Sequence, residues 1–228
     1  MSMGRNPQGP RPRGSQHWLQ VLVNSRPGLF EAKLSQAMSS PSVRSVRWLS
    51  PLQSDDYSEY QDEDFLALLG IHLTRRPLHS FWPRRGPVWD GLALSDSGSP
   101  LIVEAKANIP ELESPRSQAS SRSANLIRAS LNEAKPSFGA RATSDWMGIY
   151  YQYTNRLAHL HLLRKENGIP AYLVFLYFVG ATDVEGPSTI SEWQEAIRRA
   201  HAALGLGTGP LSPYVVDLFL DVGSIAAG

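Results

Sequence analysis

The apolar positions of this chain change period several times. Behind the acids of "EYQDED", Phe65, Leu68 and Leu69 recur at i, i+3 and i+4, and Gly70 follows, which predicts a helix with a charged first turn and a glycine stop. From Val88 the helical period gives way to two strand-like apolar runs, around Leu92 and Val103. The turn residues Ser95 to Ser99 separate them, so a hairpin is predicted. Helical spacing returns over Ser123 to Ala134, and Asp145 is placed to cap a longer helix with the stripe Trp146, Ile149, Tyr153, Leu157 and Leu160. Ala171 to Val179 is almost continuously apolar, as in a strand covered on both faces. Thr189 and Glu192 have capping-box spacing before a helix carrying Trp193, Ile197 and Leu204, and "YVVDLFLDV" supplies a last strand. The early segment "HWLQVLVNSRPGLFEAKL" fits either strand or helix and breaks at Ser25 to Gly28.

This order predicts an α/β fold, with α+β as the alternative: a central mixed sheet flanked by helices. A chain of 228 residues suits one core, read as a single domain over 17–228 behind a flexible basic tail, 1–16, that lacks the apolar segment of a secretory signal. Apolar residues make up 42% and none of their runs could span a bilayer, so a soluble protein without a membrane partner is expected. The absence of cysteine excludes disulfides and thiolate chemistry, fits a cytoplasmic location, and leaves Asp, Glu and His as metal ligands. The net charge of +1 conceals blocks of one sign: an arginine-rich start, the acidic "SDDYSEYQDED", then Arg75, Arg76, Arg84 and Arg85. Such blocks suit either phosphate contacts or ordinary surface pairs.

The hairpin raises the chemical question. Asp90 and Glu104 lie equally far from its centre at Ser97, so a symmetric pairing opposes them. Directly opposed residues have Cβ atoms about 4.5–5.5 Å apart, where like charges repel unless a cation compensates them. Strand alternation returns Lys106 to the face of Glu104 while Val103 and Ala105 point away. Two carboxylates with a backbone carbonyl, that of Ala105, can hold a hard cation such as Mg²⁺ or Mn²⁺ and leave positions for water and substrate. An ammonium beside it can orient the water that attacks a phosphate. The bland alternative is a simple ion pair of Lys106 with one of the acids.

At these residues, "WDG" and "LIVEAKA", the sequence resembles the PD-(D/E)XK nuclease superfamily, with Trp89 where the motif's name has proline. The resemblance covers about 59–179 and implies a restriction-endonuclease-like α-β-β-β-α-β core, metal ligation by Asp90 and Glu104, and a catalytic role for Lys106. Many members add an acid from the first core helix; Glu63 is the candidate here and Glu59 its rival, and a favourable place at a helix N-terminus is the competing explanation for both. Gln152, Asn155 and His159 form a polar stripe similar to the glutamine-bearing helix of RecB-like members, although Arg156 stands where those carry tyrosine. Arg84, Arg85, Gln152 and Arg156 are the candidate contacts to substrate. "FWPRRGPVW" either stacks its aromatic rings on bases or packs beneath the sheet.

The histidines have no convincing ligand spacing, and His159 and His161 read as surface residues of a helix. "GLGTG" reads as a helix stop, not a phosphate cradle. The expectation is a metal-dependent nuclease acting on DNA or RNA. A non-catalytic binding protein with the same fold and a hydrolase of a small phosphorylated molecule are the alternatives.

Overall fold

The computed structural model describes residues 4–38, 45–114 and 119–227. Strand β1 (Arg5–Asn6) precedes helices α1 (Gly14–Ser25) and α2 (Pro27–Ala37), strands β2 (Val46–Ser50) and β3 (Glu59–Tyr60), and helices α3 (Asp62–Leu68) and α4 (Leu78–Phe81). The hairpin β4 (Gly91–Ser95) and β5 (Pro100–Lys106) follows, then α5 (Ser121–Ala134), α6 (Tyr151–His161), β6 (Tyr172–Val179), α7 (Ile190–Leu204), β7 (Val215–Asp221) and α8 (Val222–Ala226).

Five strands form one mixed sheet in the order β2-β4-β5-β6-β7, antiparallel from β2 to β5 and parallel from β5 to β7. A parallel step needs a crossover connection, and α5 with α6 and then α7 supply the two. The fold is α/β, as the alternating pattern predicts. Strand β5 is buried at all its positions because both faces of the sheet are covered. On one face Leu101, Val103 and Ala105 pack with Leu19 and Leu22 of α1 and Phe30 and Leu34 of α2. On the other, Ile102, Phe175 and Tyr177 pack with Phe65, Leu157 and Trp193.

The ambiguous early segment is two helices. Pro27 separates them because its ring cannot continue α1, yet it is well placed at the first position of α2. Within the segment read as a tail, Arg5–Asn6 pair with Glu59–Tyr60 and α1 begins at Gly14. Strands β2 and β7 both lie outside 59–179, so the sheet draws on more of the chain than that segment.

One predicted helix is shorter than its pattern. Asp145 Oδ1 accepts from Met147 N at 2.9 Å, closing a local turn, and α6 starts only at Tyr151. Ile149 is therefore 50% exposed. Trp146 stays buried because its Nε1 donates to Leu204 O at 3.0 Å. The hairpin turn forms as read, with Ser95 N donating to Ser99 O, and α7 carries the full capping box of Thr189 and Glu192. Of the Ser-rich stretch, residues 115–118 lie outside those described. Among the described residues no helix is long and apolar enough to cross a membrane.

Candidate metal and catalytic site

The β4–β5 ladder pairs Gly91 with Val103; continued by one residue, it sets Asp90 opposite Glu104. Both acids line an open cleft of about 390 Å³, together with Ala105, Lys106, Gln152, Glu111 and the start of α1 at Arg13 to Gln16. Ala105 N donates to Asp90 Oδ2 at 2.8 Å, so the Asp90 side chain takes the place of a strand partner just before β4 begins. The N–H and C=O of one strand residue point to the same edge, which puts the Ala105 carbonyl on the side of Asp90.

Glu104 is almost fully buried, 1% exposed, and both its oxygens are held by cations. Oε1 lies 2.6 Å from Lys106 Nζ, and Oε2 lies 2.6 Å from both Nε and Nη2 of Arg156. Lys106 Nζ also donates to Gln152 Oε1 at 2.9 Å. Arg156 is locked from all sides: Nη2 donates to Val88 O at 2.7 Å, Nη1 to Asn155 Oδ1 at 3.1 Å, and the guanidinium lies over the Trp89 ring, 4.7 Å from its centroid. A third carboxylate enters from β3. Glu59 is buried, and its Oε1 accepts from Gln16 Nε2 at 2.7 Å. Glu111 closes the side of the cleft, held by Ala107 N and Asn108 Nδ2.

The electrostatics follow from burying more acid than base. Burial, then the charge of Glu104, raises Asp90 to about 7 against the pull of Lys106 and Arg156. Burial and the charge of Asp90 raise Glu59 to about 8. Burial raises Glu111 as well. Burial also acts upward on Glu104, but Arg156 and Lys106 outweigh it and hold that carboxyl below its usual range.

Of the residues singled out in the sequence, the fold brings Asp90, Glu104, Ala105, Lys106 and Gln152 together. It does not bring Glu63, which lines a separate cavity with Asp62, Asp64, Trp82 and Arg84; Glu59, its rival, is the acid that faces Asp90. Arg84 and Arg85 are exposed and stand apart from the cleft, where the Arg85 and Gly86 backbone N–H groups cap Asp62. Arg156 is no surface group awaiting phosphate but the buried partner of Glu104. Phe81, Trp82 and Trp89 are buried, which removes them as platforms for bases.

His159 and His161, expected at the surface, are both buried. His159 sits among the rings of Phe65, Phe81, Trp82 and Trp89, and burial lowers its pKa to about 3, so it is a neutral core residue. Gln16 and Glu111 carried no sequence signal, because only the packing of α1 and the turn after β5 bring them to the cleft. No family model, curated protein or solved structure matches this chain.

Proposed function

We propose that the protein is a metal-dependent nuclease of the PD-(D/E)XK kind, with a restriction-endonuclease-like core, that hydrolyses phosphodiester bonds of DNA or RNA. One observation carries the reading: the hairpin register opposes Asp90 to Glu104 and returns Lys106 to the same open cleft. The donor set fits a hard divalent cation such as Mg²⁺ or Mn²⁺, since carboxylates raised to about 7 and about 8 mark a cluster short of positive charge. Asp90, Glu104 and the Ala105 carbonyl would hold the ion, with Glu59 close behind. When bound, such an ion lowers the pKa of a water and offsets charge developing on phosphate. Lys106 then has the task of orienting that water, and Gln152 fixes the ammonium through its Oε1. Gln16 and Arg13, at the start of α1, stand across the cleft where a strand of nucleic acid would pass.

A second reading has its own observation. Arg156 and Lys106 together occupy both oxygens of Glu104, and such a closed ion network suits a non-catalytic binding protein that has kept the fold. Incubation with duplex DNA, single strands and RNA at saturating Mg²⁺ or Mn²⁺ separates the two. The nuclease reading expects cleavage of at least one substrate by the wild type and none by Asp90→Asn; a folded wild type inert on all of them selects the second.

A further inference from the structure

A second polar cluster lies at the end of α6, away from the cleft. Glu133 at the end of α5, His161 at the end of α6 and Glu166 just beyond it present ligand atoms within 4.8 Å of one another. His161 Nε2 lies 3.5 Å from Glu166 Oε1 and 3.8 Å from Glu133 Oε1. Ligands about 2.0–2.2 Å from a tetrahedral ion are separated by roughly 3.3–3.6 Å, so small side-chain shifts close this set on one ion.

Two further features point to a ligand. The imidazole is 3% exposed, and its Nε2 has no hydrogen-bond partner although it is aimed at the two carboxylates. An orphaned nitrogen at that depth calls for an explanation. Its other nitrogen, Nδ1, is 2.8 Å from Ser137 Oγ, and the ring stacks on Phe81 at a 23° interplanar angle. That is the support a metal-binding histidine ordinarily receives from its surroundings, and it fixes which nitrogen faces the site.

The backbone makes the same arrangement. Leu162–Glu166 is a π turn, with Asn167 N donating five residues back to Leu162 O. The wider turn carries Glu166 round toward His161, where an α-helix would point it well to one side. Asn167, which ends the turn, ties it to the segment before α4, accepting from Arg75 N and Arg76 N and donating to Arg76 O.

We propose that Glu133, His161 and Glu166 form a binding site for a transition-metal dication, zinc above all. One imidazole and two carboxylates favour zinc over magnesium or calcium, which take oxygen alone. Arg76 also contacts these carboxylates, pairing with Glu133 and lying 3.2 Å from Glu166 Oε2. It competes for the same oxygens: its side chain is 25% exposed and its guanidinium lies over the Phe81 ring, 4.8 Å from the centroid, so an ion must displace it from both carboxylates.

Co²⁺ titration of the full chain tests the site, because tetrahedral Co²⁺ absorbs strongly in the visible whereas a six-coordinate ion in the carboxylate cleft absorbs weakly. The expected result is an intense band bleached by Zn²⁺. Glu166→Gln, at a partly exposed position that tolerates the change, should weaken binding at least ~100-fold. His161→Gln should abolish the band, with circular dichroism reporting whether it folds. Arg76→Gln should tighten binding. Absence of the band in the wild type, or a band equally strong in Glu166→Gln and Glu133→Gln, overturns the site and leaves an ion-pair network around Arg76.

Discussion

Replacing Glu59 with glutamine should stabilise the metal-free protein by an amount that depends steeply on pH. In the folded chain this carboxyl is buried beside Asp90 and titrates at about 8, against 4.5 for an ordinary glutamate. Because the folded value is the higher one, the proton is retained in the native state after the unfolded chain has released it. The contribution of this carboxyl to wild-type stability is complete below pH 4.5 and is lost as pH rises through 8, so the advantage of glutamine grows over the same range. A difference of this size, converted at about 1.36 kcal/mol per unit, sets a ceiling of roughly 5 kcal/mol.

Glutamine is the neutral form made permanent. It keeps the Oε1 acceptor for Gln16 and cannot ionise, so it escapes the loss. Urea unfolding in EDTA should therefore show wild type and Glu59→Gln close together at pH 5, with the variant ahead by a few kcal/mol at pH 9. The contributions of Asp90 and Asp217, raised by burial to about 7 and about 6, run in the same direction but largely cancel between the two proteins. A stability gap that stays flat from pH 5 to pH 9 would refute the reasoning, since it would mean that Glu59 is ionised in the native state or already hydrated.

Lys106→Ala should retain divalent-metal affinity in calorimetric titration, while cleavage on any substrate the wild type cuts falls by ~100-fold or more; undiminished turnover by the folded variant would remove Lys106 from catalysis. Arg156→Met leaves Glu104 buried with a single cation and should cost ~3–5 kcal/mol in urea unfolding. In the double variant Arg156→Met, Glu104→Gln much of that loss should return, and simple additivity of the two single effects would show that Arg156 acts through packing and not through charge.

The centre of the site was legible because a hairpin converts spacing into geometry. A turn centred on Ser97 dictates the opposition of Asp90 and Glu104, and alternation dictates the side of Lys106. The α/β class was legible for a similar reason, since the apolar run of β6 can be buried only between two layers. Contacts across the fold were not. Spacing placed Gln152 and Arg156 on one helix but could not show that Gln152 faces Lys106 while Arg156 enters the core behind Glu104. Acids at 59 and 63 look alike in a helix-start pattern; the short pairing of β1 with β3 turns the first inward, and the second faces another cavity. The π turn after His161 escaped the reading because the pattern holds no proline or glycine to mark a change of pitch there.

The two cations on Glu104 are not equivalent, and the difference decides how the site can open. Arg156 holds Oε2 through two nitrogens and is itself fixed by Val88 O, Asn155 and the Trp89 ring, so releasing it means breaking up a buried assembly. Lys106 holds Oε1 through one nitrogen, lines the cleft, and has Gln152 Oε1 as a second acceptor already in place. Any ligand that takes Glu104 must therefore take Oε1, the oxygen facing Lys106 in the cleft that Asp90 also lines. An ammonium released from Oε1 would still have Gln152 Oε1 to donate to and would remain beside the acids of the cleft. On this arrangement Arg156 is the partner that keeps Glu104 ionised, and Lys106, bound through one nitrogen, is the partner that an incoming cation would displace.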